Sequence, residues 1–168
     1  QVEIAFAEER IGIINNAVLR FPRQHPAIAQ LLAYISTVDA KEAQWGSTGP
    51  LALTRIFNEC GLTTTFGIQD FYPLHWKETP KLLFPEFFDE VQEKISSAPF
   101  VHLWGSTLRE IGFNYTRPIE GSYMHYLNTK YMDSEVATQL QDVDEGDFRK
   151  AVKDYVSGAW HVDWPIKQ

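Results

Sequence analysis

Trp45-Gly46-Ser47-Thr48-Gly49-Pro50-Leu51-Ala52-Leu53-Thr54-Arg55-Ile56-Phe57-Asn58-Glu59-Cys60-Gly61 is the stretch on which the fold turns. Its first six residues are loop formers. Leu51, Leu53, Ile56 and Phe57 then supply apolar side chains, and Gly61 supplies the residue type that stops helices. The stretch reads as loop, helix, stop, with Ser47 or Thr48 as the expected cap. Upstream, His25-Pro26 opens another helix, because proline suits a first helical turn and Ile28, Leu31, Leu32 and Ile35 recur at the spacing of one buried face. Gln30 and Tyr34 are expected on its exposed face. Before it, residues 2–7 alternate apolar and polar side chains as a half-buried strand does. Residues 11–21 read as a second buried strand, interrupted by Asn15-Asn16.

Downstream of Gly61, residues 63–68 are rich in β-branched and aromatic side chains and predict a short strand that runs into the loop 69–73, where Pro73 ends it. Residues 85–96 predict an amphipathic helix with Phe87 or Phe88, Val91 and Ile95 inward. Residues 100–104 form a β-prone run, and Gly105-Ser106-Thr107 start a helix through Leu108. A last helix is expected over 145–156, with Phe148, Val152 and Tyr155 or Val156 facing the core. Strands alternating with helices across Gly/Pro loops predict an α/β domain, with α+β the alternative, and a single domain over residues 1–168.

A chain of 168 residues, 44% of them apolar, buries a core without needing a metal or disulfide to hold it together. Cys60 is the only cysteine, so no internal disulfide forms. The single cysteine favours a cytoplasmic, membrane-associated or free, setting over the secretory lumen. Fifteen basic against twenty-two acidic residues give a net charge of −7, which opposes binding to a nucleic-acid backbone. No apolar run reaches the 18–20 or so residues that span a bilayer. Asn114-Tyr115-Thr116 matches the N-glycosylation pattern but carries little weight without a secretory signal. The chain opens on Gln1 rather than Met, with a strand that needs a partner, which gives the expectation that it is cut from something longer.

Three short segments place Gly, Trp, His and Tyr in turns: 45–50, 71–76 and 102–104. Five Trp and seven Tyr provide flat faces with polar handles, a surface suited to pyranose rings, although core packing is the commoner fate of any one of them. Gly49 heads a helix, where backbone N–H groups and the helix dipole favour an anionic group such as a phosphate; a simple helix N-terminus is the equal alternative. His102 and Trp104 would share one face of a strand, setting an imidazole beside an aromatic wall; an ordinary hydrogen-bonded core histidine is the competing reading. Asp142-Val143-Asp144 has the form of a cation-binding acidic pair, but lies among Asp142, Asp144, Glu145 and Asp147 at a helix start, where acids favour the dipole. It is read as a decoy. No G-x-S-x-G elbow, Walker loop, H-E-x-x-H pair or G-x-G-x-x-G turn is present.

The order Asn15-Asn16-Ala17-Val18-Leu19, His25-Pro26, Trp45-Gly46-x-x-Gly49-Pro50-x-x-Leu53-Thr54-Arg55, Phe71-Tyr72-Pro73 and His102-Leu103-Trp104 resembles the C-terminal region of D-x-D-type glycosyltransferases. That family includes α-1,4-galactosyltransferases, α-1,4-N-acetylglucosaminyltransferases and bacterial capsular or lipopolysaccharide sugar transferases. The resemblance spans roughly residues 11 to 108. It implies a GT-A-like, retaining enzyme whose N-terminal half binds the nucleotide sugar and carries the D-x-D, with this chain as the C-terminal half, of short strands and surrounding helices. By that resemblance Asn16 and Ala17 lie near the sugar pocket, Trp45, Gly49 and Pro50 beside donor or acceptor, and Tyr72 and Pro73 along the site. His102 is then a metal ligand and Trp104 closes over the pyrophosphate.

The implied cofactor is Mn²⁺ or Mg²⁺. The implied partners are a UDP- or GDP-sugar, a glycan or glycolipid acceptor, and the N-terminal half itself. No acceptable D-x-D precedes residue 15, so transfer by this chain alone is in question, and no residue stands out as a nucleophile. A non-catalytic carbohydrate-binding or scaffold domain derived from a glycosyltransferase is the alternative, and an unrelated α/β interaction domain is a third. Residues 110–168 match no motif.

Overall fold

The computed structural model describes residues 3–44, 46–64, 66–113 and 115–159. The chain divides into two compact units, one of residues 1–73 and 97–102, the other of residues 74–96 and 103–168. The described residues are mainly helical with one small two-stranded antiparallel sheet.

In the first unit, β1 (Glu8–Arg10) pairs antiparallel with β2 (Ile13–Ile14), and Gly12 turns the hairpin at φ 78°. Ala5 bridges Arg20 further from the turn. The strand expected over 2–7 is reduced, among its described residues, to the bridge at Ala5, with β1 following it at Glu8–Arg10; that expected over 11–21 shrinks to Ile13–Ile14 and the bridge at Arg20, and Ile11 sits in the turn, 92% exposed. Helix α1 (Pro26–Ile35) begins where His25 Nδ1 accepts from the Ala27 N–H at 3.3 Å. Its buried residues are Ala27 and Leu31, whereas Leu32 is 61% exposed. Tyr34, expected outside, packs partly against the core and under the Arg55 guanidinium, 4.1 Å from its ring centre.

Helix α2 (Pro50–Glu59) lies where expected and ends before Gly61 at φ 65°. Its cap is Gly49, with no side-chain bond, rather than Ser47 or Thr48; the Ser47 hydroxyl instead donates to the Gln44 carbonyl. Leu53, Ile56 and Phe57 meet Phe6, Ile14 and Leu31 in the core, with the Phe6 and Phe57 rings 5.0 Å apart. Residues 62–64 are irregular, and Ile68, expected to end a strand, begins helix α3 (Ile68–Phe71). The Gly67 N–H donates to Asp70 Oδ2, a local closure that favours a helical turn over an extended chain.

The second unit contains a 3₁₀ helix at Trp76–Leu83, a 3₁₀ turn at Pro85–Phe87, and helices α4 (Phe88–Ile95), α5 (Gly105–Glu110), α6 (Tyr123–Tyr131), α7 (Ser134–Ala137) and α8 (Glu145–Ala159). The 3₁₀ helix buries Thr79, Pro80, Leu82 and Leu83 and packs against α4, α5 and α6. Helix α4 buries Val91 and Ile95 and α8 buries Phe148 and Val152, as their spacing predicts. Arg149 forks onto Glu86, with its Nη2 3.0 Å from Oε2, and also reaches Glu145. Helices α3, α6 and α7 have too little apolar periodicity to be read from sequence. Asn114, Trp160 and Trp164 lie outside the described residues. No helix of the described residues is long and apolar enough to cross a membrane.

Candidate functional site

The first unit carries Asn16, Ala17, Gly49, Pro50, Tyr72 and His102, and the second carries Trp104. Trp45 lies outside the described residues.

Asn15 follows directly on β2 and is buried. Its Oδ1 accepts from the Ala17 N–H at 2.7 Å, and its Nδ2 donates to Glu9 Oε2. Both ends of that amide are thus engaged, so its rotamer is fixed. The Thr54 hydroxyl joins hairpin to helix: it accepts from the Ile14 N–H at 2.9 Å and donates to the Pro50 carbonyl at 2.7 Å. These bonds bring Asn16 beside the head of α2, where a β-carbon placed on Gly49 would stand 3.6 Å from Asn16 Oδ1. No side chain caps that helix start. Motif residues 33 positions apart are adjacent there. Thr54 and Arg55, which belong to the same motif, have structural work: Thr54 in this junction, Arg55 over Tyr34.

A second pair forms at the end of α3. Tyr72 closes that helix through its N–H to the Ile68 carbonyl, and its ring meets the His102 imidazole edge-on, 5.7 Å between centres. Phe71 stacks on Phe66 and meets Phe100 edge-on, so one aromatic seam holds 66–72 to 100–102. Burial first, and the Glu9 carboxylate second, push the Tyr72 hydroxyl up to about 12. Burial also lowers the His102 pKa from 6.5, which favours the neutral imidazole with a lone pair to give.

Residues 100–103 are not a strand, and Trp104 adopts a left-handed conformation at φ 49°, ψ 57°, as the cap of α5. The expected shared strand face for His102 and Trp104 is therefore absent. Trp104 is buried, and its indole N–H donates to the Leu74 carbonyl at 2.7 Å. Of the Asp142-Val143-Asp144 pair, Asp144 Oδ1 accepts from the Asp147 N–H at the start of α8, the helix-start role that the sequence suggested, whereas Asp142 pairs with Arg117 at 2.6 Å, a contact that the sequence did not suggest.

No three of His, Cys, Asp and Glu come together to hold a metal ion among the described residues. A cation held at His102 would need its remaining ligands from outside the described residues. Sequence reasoning missed Glu9, whose only signal was an acid in the polar run Glu8-Glu9-Arg10. It also missed Arg10, whose buried Nε has no hydrogen-bond partner among the described residues.

Comparison with known proteins gives a consistent but distant relationship. The chain is 28% identical over 117 residues to lactosylceramide 4-alpha-galactosyltransferase of Homo sapiens, an alignment covering 62% of this chain and 33% of that protein. It is 30% identical over 118 residues to the Gorilla gorilla gorilla protein of the same name, covering 62% and 35%. The Pongo pygmaeus counterpart is 27% identical over 117 residues, covering 62% and 53%. The chain therefore spans about a third to a half of the length of these relatives. Their similarity supports a relationship to glycosyltransferases. No family model matches the chain, and no solved structure matches it.

Proposed function

We propose that this chain is the C-terminal part of a retaining, GT-A-like glycosyltransferase that moves a hexose from a UDP- or GDP-sugar to a glycan or glycolipid acceptor. One observation carries the reading: motif residues far apart in sequence meet in pairs inside one unit, Asn16 at Gly49 and Tyr72 at His102, in a chain similar to a named galactosyltransferase. At the head of α2 the Gly49 and Leu51 N–H groups already donate to the Gly46 carbonyl and Pro50 has none, so the Asn16 amide supplies the donor to a sugar hydroxyl or a phosphate oxygen, and the helix dipole favours the anion. Ala17 and Pro50 are the chain neighbours of Asn16 and Gly49. Trp104 supports α5 from within the second unit.

Departure of a nucleoside diphosphate builds negative charge that fixed donors stabilise, and a bound divalent cation, Mn²⁺ or Mg²⁺, supplies further positive charge. In this reading His102 is one neutral ligand to that cation, and the remaining ligands come from an N-terminal nucleotide-binding half.

The test is calorimetry with a panel of UDP- and GDP-sugars, with and without Mn²⁺, on the chain, on the chain joined to its natural upstream sequence, and on His102→Ala in each. Metal-dependent binding that weakens at least tenfold in His102→Ala is the expected result. Binding of free glycans with no nucleotide-sugar binding in either form would overturn transfer and favour a carbohydrate-binding or scaffold domain.

A further inference from the structure

The hairpin carries an acid that the reading above leaves unused. Glu9 sits where the ladder is irregular, between the pairs Glu8↔Ile14 and Arg10↔Ile13. An irregularity of this kind re-aims a side chain that an even ladder would send to the alternate face. Its Oε2 receives the Asn15 Nδ2–H, and Asn15 is itself locked by the Ala17 N–H. Helix α3 packs on β1 and delivers Tyr72 at its end, close enough for the Glu9 charge to act on that hydroxyl.

The other oxygen, Oε1, has no hydrogen-bond partner and Glu9 has no ion pair among the described residues. Oε1 is not among the buried atoms left without a partner, so solvent, and with it a ligand, reaches it. A polyhydroxyl ligand would meet there a charged acceptor already fixed in direction, bonding a hydroxyl more strongly than a neutral one does.

We propose that Glu9 is a hydroxyl-recognition residue, its open carboxylate oxygen accepting a hydrogen bond from a pyranose hydroxyl and so selecting among sugar epimers. The proposal rests on the glycosyltransferase reading. Glu9 holds Asn15, the chain neighbour of the Asn16 that stands at the head of α2. The shared chemistry, a pyranose hydroxyl, belongs to the donor sugar or to the acceptor, and kinetics separate the two.

The experiment uses the full-length protein, its Glu9→Gln and Glu9→Ala variants, UDP-galactose and UDP-glucose as donors and methyl β-lactoside as acceptor. Initial rates give KM and kcat for each substrate, saturation-transfer NMR gives binding, and thermal melting reports folding. The expected result for Glu9→Gln is an unchanged melting temperature with roughly a tenfold or greater loss of affinity for one partner. A shift in donor KM with reduced galactose-to-glucose discrimination assigns the hydroxyl to the donor. A shift confined to methyl β-lactoside assigns it to the acceptor.

Unchanged KM, binding and discrimination in a folded, active Glu9→Gln overturn this inference and leave the transferase reading standing. An effect confined to the Mn²⁺ requirement also overturns it, by making Glu9 a metal ligand. If the wild-type protein neither transfers nor binds these sugars, both readings fall together.

Discussion

Trp104 was singled out as a phosphate-side aromatic, and its geometry gives the indole a structural task as well. It stands in the left-handed region, is 8% exposed, and donates its N–H to Leu74. Trp104→Phe keeps the ring's apolar bulk but leaves the Leu74 carbonyl without that donor, which costs about 1–3 kcal/mol. Urea unfolding that shows a smaller midpoint loss than this would mean that water or another donor replaces the indole. At the same scale, Tyr72 and His102 were each read from a short motif. Their edge-on contact, the raised Tyr72 pKa and the lowered His102 pKa come with burial, which no motif encodes.

Single elements in the second unit are tied by charge as well as by packing. The 3₁₀ helix Trp76–Leu83 begins at His75, whose N–H donates to Glu78 Oε2 at 3.3 Å, and Glu78 also receives Lys94 of α4 and Lys81. Burial alone would raise the Glu78 carboxyl, but the Lys94 and His75 hydrogen bonds, the Lys94 charge and the Lys81 bond together hold it below 4.5. A depressed carboxyl pKa contributes stability that is fully present above the unfolded value and is lost as pH falls through the folded one. Wild-type stability should therefore decline as pH drops below 4.5, and Glu78→Gln should flatten part of that decline. Because these side chains are partly exposed, the cost of Glu78→Gln at neutral pH is about 1 kcal/mol or less. Denaturation midpoints measured across the acid range check both; an unaltered acid slope in the variant would show that the cluster is neutral for stability.

For the whole molecule, stability in the first unit depends on one small core. Phe57 is fully buried and meets Phe6 and Phe21 at 5.0 and 5.1 Å. Phe57→Ala should cost about 3–5 kcal/mol, a large share of what a domain this size possesses. A loss under about 1 kcal/mol by chemical denaturation would mean that the site collapses around the void. If the hairpin, α1 and α2 separate in that variant, Asn16 also leaves Gly49, so nucleotide-sugar binding should fall with stability. The net charge of −7 adds a long-range term that steers this surface away from polyanions.

The sequence by itself determined the helices whose apolar spacing is strong and whose ends are marked: α1 after His25-Pro26, α2 before Gly61, α4 after Pro85, and α8 after its acidic run. Those signals are local, so a single chain suffices to read them. It also placed the five motifs in order. The β-prone runs failed because strand propensity reports fitness for a pleated, half-buried surface, and among the described residues neither the run 63–68 nor 100–104 has a partner strand. Only the tertiary structure could bring Asn16 to Gly49 through the Thr54 hydroxyl, set His102 against Tyr72, and turn Glu9 out of its ladder onto Asn15. Those pairings depend on burial and on hydrogen bonds between residues as many as 40 positions apart. No local pattern in the chain encodes that distance.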